Sequence, residues 1–341
     1  MPTTPAIKPL VRLAAIYRTL DLSGDPFALD PLAGDVAPLT AFCAGRDTIL
    51  DWLRELRTSP SLALITGIAG SGRTRLLSEI VTNLSDTAIS PLPVTLNDDK
   101  LTDIRLLRAI IESMGSTPLG RTGLELVHET RALIATSIQE GRLPVLMLDD
   151  AGLAGSQLEI IRSLLTPPDD APDGYDLRII MTGDRELRDR LIRRRALADQ
   201  IACSVDLAPL NLDEVRILVR FRIDCMRTGN GEKSANALSP QFSDDALVIL
   251  SDWSGGNPGA IIRLAGECLL EAIARGRRDV DGEIAHDVAR ELTDHARQVA
   301  RAEAAAPYML PAVQTKLAFT MTDERENAAH VSGTPGQANV P

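Results

Sequence analysis

The sequence predicts an α/β fold, a parallel sheet with helices on both faces, followed by a small all-helical domain. Three observations predict it. Short apolar runs, at Ser61–Thr66, Pro93–Leu96, Leu143–Leu148 and Leu177–Met181, alternate with stretches of helical period, the pattern of parallel strands joined by crossover helices. Beyond Leu210 the strand signal stops and helical periodicity alone continues. The chain has 341 residues, 44% of them hydrophobic, enough for two buried cores.

Each element follows from local chemistry. The first forty residues, rich in Pro, Thr, Ala and Asp, read as an arm, so the expected organisation is an arm over 1–40, a sheet domain over 41–210, a helical domain over 211–302 and a disordered tail over 303–341. Ile49, Leu50, Leu53 and Leu56 share one face of a helix expected from Asp47 to Arg57. Ser61–Thr66 is a buried strand, and Arg73–Leu84 is the helix after it. Thr122 with Glu125 forms a capping box for a helix running to Gly141, and Ser156 with Glu159 forms another for a helix ending at Leu165. The Pro- and Asp-rich stretch 167–174 is a surface loop, and an arginine-rich helix follows the strand Leu177–Met181. In the helical part, Asn211 with Glu214 and then Ser243 open helices, and Gly255–Gly256 closes the second. Asn257 caps a third that has Pro258 at its first position and buries Ile261, Ile262, Ala265, Leu269 and Ile273. A fourth runs from about Asp281 to Ala300.

Composition excludes several classes. A net charge of −11 speaks against a surface that coats nucleic acid throughout, so nucleic acid is a partner the charge does not favour, although a local basic patch is compatible with it. The four cysteines and four histidines are scattered without metal-type spacing. No run reaches the roughly 18 to 20 apolar residues that a membrane span requires, and the N-terminus lacks a signal-peptide pattern. The expected location is cytoplasmic.

The strongest chemical signal is Gly67-Ile-Ala-Gly-Ser-Gly-Arg-Thr74, set between a strand and a helix. It matches the P-loop pattern GxxxxGK[ST] except that Arg73 stands for lysine. Gly67, Gly70, Ser71 and Gly72 turn the backbone so that amides point at phosphate oxygens, and the helix N-terminus adds its positive end. Arg73 would hold phosphate and Thr74 would place a hydroxyl on Mg2+. A guanidinium keeps the charge but is planar and larger than an ammonium, which leaves open whether the site hydrolyses or only binds. Seventy-five residues past Thr74, four apolar residues precede Asp149-Asp150. Beside a P-loop, Asp149 reads as the magnesium acid and Asp150 as the group that orients water. Thr182, at a strand end, is a candidate γ-phosphate sensor. Arg185–Arg195 holds six arginines against two acids, a net of +4. It is a source of an arginine finger for a neighbouring subunit, a phosphate-backbone contact, or a solvated face.

These residues together resemble the ExeA/GspA-type AAA+ ATPases of the general secretion pathway and their TniB-type transposition relatives. Asp25-Pro26-Phe27 resembles an element ahead of that family's ATPase core. Gly67–Thr74 and Leu146–Asp150 occupy the places of its two nucleotide motifs, and Thr182–Arg188 resembles its sensor strand and the helix start after it. Leu207–Asn211 and Ser254-Gly-Gly-Asn-Pro258 resemble the entry to its helical lid and a turn within it. Gly45-Arg46-Asp47 is similar to an entry motif that lies near adenine in origin-recognition and signalling ATPases, which makes Arg46 a candidate nucleotide contact.

The resemblance implies a P-loop NTPase (AAA+) fold with a helical lid, ATP with Mg2+ as ligands, and a homo-oligomer engaging an unidentified protein partner. Four positions depart from it. Arg73 replaces lysine and Asp150 replaces a glutamate. Gly259 stands where the family has a sensor arginine, with Arg263 one turn later as the candidate substitute. A finger arginine falls near Gln200, with Arg193 and Arg194 in the cluster before it as replacements. The expectation is an ATP-binding ATPase with weakened hydrolysis. The alternatives are a non-hydrolysing nucleotide-gated scaffold and a DNA-associated transposition regulator. Secretion members also carry a membrane segment and a wall-binding domain that this sequence does not show, so no peptidoglycan-directed role is expected.

Overall fold

The computed structural model describes residues 16–28, 36–55, 60–84, 88–95, 101–149, 152–153, 155–167, 175–227 and 239–305. The chain divides into two compact units, Met1–Ala289 and Arg290–Pro341. All elements but the last lie in the first unit. In chain order they are α1 (Thr40–Arg54), β1 (Leu62–Gly67), α2 (Arg73–Asn83), β2 (Ile89–Thr95), α3 (Asp103–Ser113) and α4 (Gly123–Gln139). Then come β3 (Leu143–Asp149), α5 (Gly155–Leu165), β4 (Arg178–Gly183), α6 (Arg185–Ile192), the single turn α7 (Arg195–Ala198) and β5 (Ile201–Leu207). The helices α8 (Leu212–Cys225), α9 (Asp244–Ser254), α10 (Pro258–Ala274) and α11 (Gly282–Ala305) complete it, the last running on into the second unit.

The five strands form one parallel sheet in the order β2-β3-β4-β1-β5. The central strands β1 and β4 are buried along their whole length, as expected for strands covered on both faces. Both prolines of β2, Pro91 and Pro93, fall on an edge strand, where a missing N–H costs least. Leu64, Leu146, Leu148, Ile179 and Met181 form the core on one side with Leu158 and Ile161 of α5 and Leu187 of α6.

Several elements differ from their sequence-based expectation. The helix α1 starts at Thr40, seven residues before the expected Asp47, because Leu39, Phe42 and Gly45 already lie on its buried face. Gly45 belongs there because a Cβ would sit 2.6 Å from Val205 of β5. The strand β5 and helix α3 were not anticipated. Five of the seven β5 residues are only partly buried or exposed, and Ser204 and Asp206 interrupt the apolar residues, so the strand lacks an apolar run. The expected Ser156–Glu159 capping box gives way to other pairings. Ser156 lies inside α5, its hydroxyl donating to Asp103 at 2.8 Å, while Glu159 accepts from Arg162 at 2.7 Å. The boxes at Thr122–Glu125 and Asn211–Glu214 do form. Most of the expected 167–174 loop lies outside the described residues, as does the expected tail beyond Ala305.

Residues 16–28, expected as part of an arm, pack closely. Tyr17, Leu20, Leu22 and Phe27 are buried. Asp25 accepts from the Phe27 amide at 2.8 Å, a local Asx turn. That turn aims the Phe27 ring edge-on at Phe242, 5.8 Å between centroids. Arg222 of α8 donates to the carbonyls of Pro26 and Ala28. Burial disfavours the charge on this guanidinium and lowers its pKa. No helix among the described residues is long and apolar enough to cross a membrane.

Candidate functional site

The site lies at the C-terminal ends of β1, β4 and β3, where open parallel sheets place their ligands. Register decides what meets there. Ile65 of β1 pairs with Thr182 of β4, and Leu148 of β3 pairs with Met181. Thr182 is therefore interposed between the loop after β1 and the Asp149 that ends β3. Thr182 donates to Asp149 Oδ1 at 2.6 Å, and Thr74 donates to Asp149 Oδ2 at 2.8 Å. One carboxylate thus collects a hydroxyl from the loop and another from the neighbouring strand.

The loop between β1 and α2 has the form of an anion cradle. Gly70 and Gly72 sit at φ 82° and 98°, a left-handed region that side chains disfavour and that, between right-handed residues, lets successive amides converge on an anion. A Cβ on Gly67 would meet Ser71 Oγ at 2.4 Å and the Leu207 carbonyl at 3.2 Å, so nothing larger fits beneath the loop. Ser71 Oγ is buried with no hydrogen-bond partner among the described residues, and a buried hydroxyl left so calls for one. The Arg73 guanidinium donates to the Gly67 carbonyl of its own loop. At the base, Thr66 donates to Asp206 of β5 at 2.9 Å, with Arg185 at 3.5 Å from the same carboxylate.

An apolar cleft of about 220 Å³ opens beside the loop. Val36, Leu39 and Phe42 line one wall, Leu218 and Phe221 of α8 another, and Ile262 of α10 a third, with Gly70–Gly72 at one end. This explains why Ile262, expected in the stripe that α10 buries, is only partly covered. Leu264, Cys268 and Ala272 complete that stripe alongside Ile261, Ala265 and Leu269. A largely apolar cleft continuous with a phosphate cradle, with Arg75 and Arg222 also in its lining, has the chemistry of a nucleotide site. The paired oxygens of Thr74 and Asp149 are the hard donors that Mg2+ takes.

The other candidates stand as follows. Asp150 lies outside the described residues. Arg46 pairs with Asp47 at 2.9 Å and does not line the cleft. Arg263 is exposed on α10, and Gly259 of the same helix lines the cleft instead. Arg193 is exposed at the end of α6, while the Arg194 guanidinium lies against Gly155 and donates to the Arg190 carbonyl at 3.2 Å. Arg190 in turn donates to the Leu153 carbonyl at 2.8 Å, which ties α6 to the segment following Asp149. Sequence reasoning missed Phe42, Leu218 and Phe221, which are ordinary apolar residues until the fold gathers them.

A glycine-rich loop between a buried strand and a helix, with a hydroxyl-bridged aspartate two strands away, is the arrangement of the P-loop (AAA+) fold. Residues 56–191 match the AAA domain family. The chain is 29% identical over 230 residues to General secretion pathway protein A of Aeromonas hydrophila, a match covering 66% of this chain and 39% of that protein. This relative bears out the resemblance to ExeA/GspA-type AAA+ ATPases, although the chain spans only about two fifths of its length. Among solved structures, the Aeropyrum pernix ORC1 protein in complex with DNA aligns with a TM-score of 0.57 at 15% identity, over 90% of this chain and 77% of that one. The Aeropyrum pernix ORC2 protein in its ADPNP–ADP complexes aligns with a TM-score of 0.56 at 16% identity, over 78% and 71%. At such identities these two likenesses speak for the fold alone.

Proposed function

We propose that this protein binds ATP with Mg2+ at the Gly67–Thr74 loop, hydrolyses it slowly, and uses its nucleotide state to drive assembly or engagement of a protein partner. The observation that carries the reading is the convergence of Thr74 and Thr182 on Asp149 beside an amide-lined cradle that ends in an apolar cleft. The loop amides and Ser71 would receive the β- and γ-phosphates, and the cleft would receive the base. Thr74 and Asp149 would hold Mg2+, which supplies charge neutralisation on the phosphates when bound. Asp150 would accept a hydrogen bond from the attacking water, and Thr182 would report on the γ-phosphate through Asp149. Arg193 or Arg194 would reach a neighbouring subunit's nucleotide in a homo-oligomer in the cytoplasm.

One observation favours a second reading, a nucleotide-gated scaffold without turnover. Arg73, at the position where a P-loop lysine reaches the phosphates, spends its guanidinium on the Gly67 carbonyl. Phosphate release from ATP with Mg2+, run beside an ATP-binding titration, separates the two. Turnover that disappears in Asp150→Asn supports the ATPase. Tight binding with no turnover supports the scaffold, and absence of binding removes both.

A further inference from the structure

We infer that Asn257 is a positioning residue of the nucleotide site, clasping the P-loop to the first turn of α10. The inference rests on the nucleotide reading above. Its starting point is that Asn257 has two jobs. Its Oδ1 accepts from the amides of Gly259 and Ala260 at 3.0 and 3.3 Å, an ordinary helix cap. Its Nδ2 donates to the carbonyl of Ala69, 188 residues earlier, at 2.7 Å. A cap needs only the acceptor, so the donor is free to serve another element.

The neighbouring backbone completes the grip. The Gly259 amide donates to the Gly70 carbonyl at 3.0 Å. Two consecutive loop carbonyls, Ala69 and Gly70, are thereby turned toward α10. A carbonyl and the amide that follows it point opposite ways in one peptide plane, so holding the Ala69 and Gly70 carbonyls toward α10 turns the Gly70 and Ser71 amides away from it, the Ser71 amide donating to the Ile68 carbonyl at 3.1 Å within the loop. The loop is thereby held in one form before any ligand arrives, which removes an ordering cost from binding.

The same approach explains Gly259. A Cβ there would lie 3.2 Å from Gly70 Cα and 3.3 Å from the Gly70 carbonyl oxygen, both rigid backbone. Any side chain at this position pushes α10 away from the loop. A Cβ on Gly70 would likewise meet Asn257 Oδ1 at 2.7 Å. The helix touches the loop with its backbone and one amide side chain, so occupancy of the loop and the position of α10 are mechanically linked.

Asn257→Ser and Gly259→Ala test this in the full chain. Serine retains a capping oxygen but is too short to reach Ala69. Alanine improves the propensity of α10 for helix while breaking the close approach. Without nucleotide, the amides of residues 68–72 are expected to exchange with solvent about three- to tenfold faster in both variants, the scale of one lost hydrogen bond. Thermal midpoints should stay near wild type. With Mg2+ present, ATP affinity should fall by a similar factor, mostly through faster dissociation. Loop exchange at the wild-type rate in both variants overturns the clasp, whether or not nucleotide binds. Faster exchange with unchanged ATP affinity keeps the contact and overturns its role in binding. A wild-type chain that binds no ATP removes the nucleotide reading itself.

Discussion

Thr74 and Thr182 donate to opposite oxygens of the Asp149 carboxylate, at 2.8 and 2.6 Å. The two hydroxyls, 108 residues apart in sequence, join the loop and a strand through one acid. Removing either hydroxyl leaves the acid less well held, and removing the acid leaves Thr182, which is fully buried, without that acceptor. Asp149→Ala is expected to abolish the dependence of ATP affinity on Mg2+. Thr182→Val should lower turnover while leaving ATP affinity within about threefold, since its hydroxyl acts through Asp149 and one hydrogen bond is worth about 1 kcal/mol. Titrations with Mg2+ and with EDTA, beside steady-state phosphate release, check both.

Arg73 offers a test of why turnover should be slow. Its guanidinium is committed to the Gly67 carbonyl, and its planar fork cannot act as the compact charge that a lysine presents. Arg73→Lys is expected to raise phosphate release by on the order of a hundredfold, the low end of what one preorganised donor contributes to a transition state. Unchanged release at unchanged affinity would mean that this position does not limit the rate.

Phe27 joins the N-terminal segment to the helical part. It is buried edge-on against Phe242, and its Cβ lies 3.2 Å from where a Cβ on Gly266 would sit. Phe27→Ala is expected to destabilise the fold by about 3–5 kcal/mol, as for other buried aromatic truncations. Because Ala28 of the same segment lines the cleft, ATP affinity should fall as well. Chemical denaturation and an ATP titration under native conditions read the two effects separately.

Alkaline pH should unfold the chain through groups that burial keeps neutral. Burial pushes the Tyr175 phenol up to about 12, and its hydroxyl donates to the Leu164 carbonyl at 2.9 Å. The folded state therefore holds this proton more tightly than the unfolded chain, whose tyrosines release it near 10. The stability this contributes is complete below about pH 10 and is lost as pH rises toward 12. Tyr175→Phe cannot release a proton, so its denaturation midpoint should fall less steeply with pH across that window.

How much of this was legible in the sequence depended on how local each signal is. The loop Gly67–Thr74, the strand ending at Asp149, and the caps at Thr122, Asn211, Ser243 and Asn257 are written in short contiguous patterns, and each forms. The edge strand β5 was not legible, because Ile201–Leu207 buries too few side chains to show an apolar run. The walls of the cleft were not legible either. Phe42, Leu218 and Ile262 come from three helices that only the tertiary fold brings together. Asn257 was half legible: the sequence shows its cap, whereas its bond to Ala69 spans 188 residues and leaves no periodic trace.

The central claim is that the Gly67–Thr74 loop is where nucleotide binds, and calorimetric titration of the purified chain with ATP and Mg2+ tests it most directly. The wild-type chain should bind one ATP per protomer, and a Gly72→Val, Arg73→Ala double variant that keeps its fold by circular dichroism should not bind. Equal binding by the folded variant and the wild type would contradict the assignment of the site.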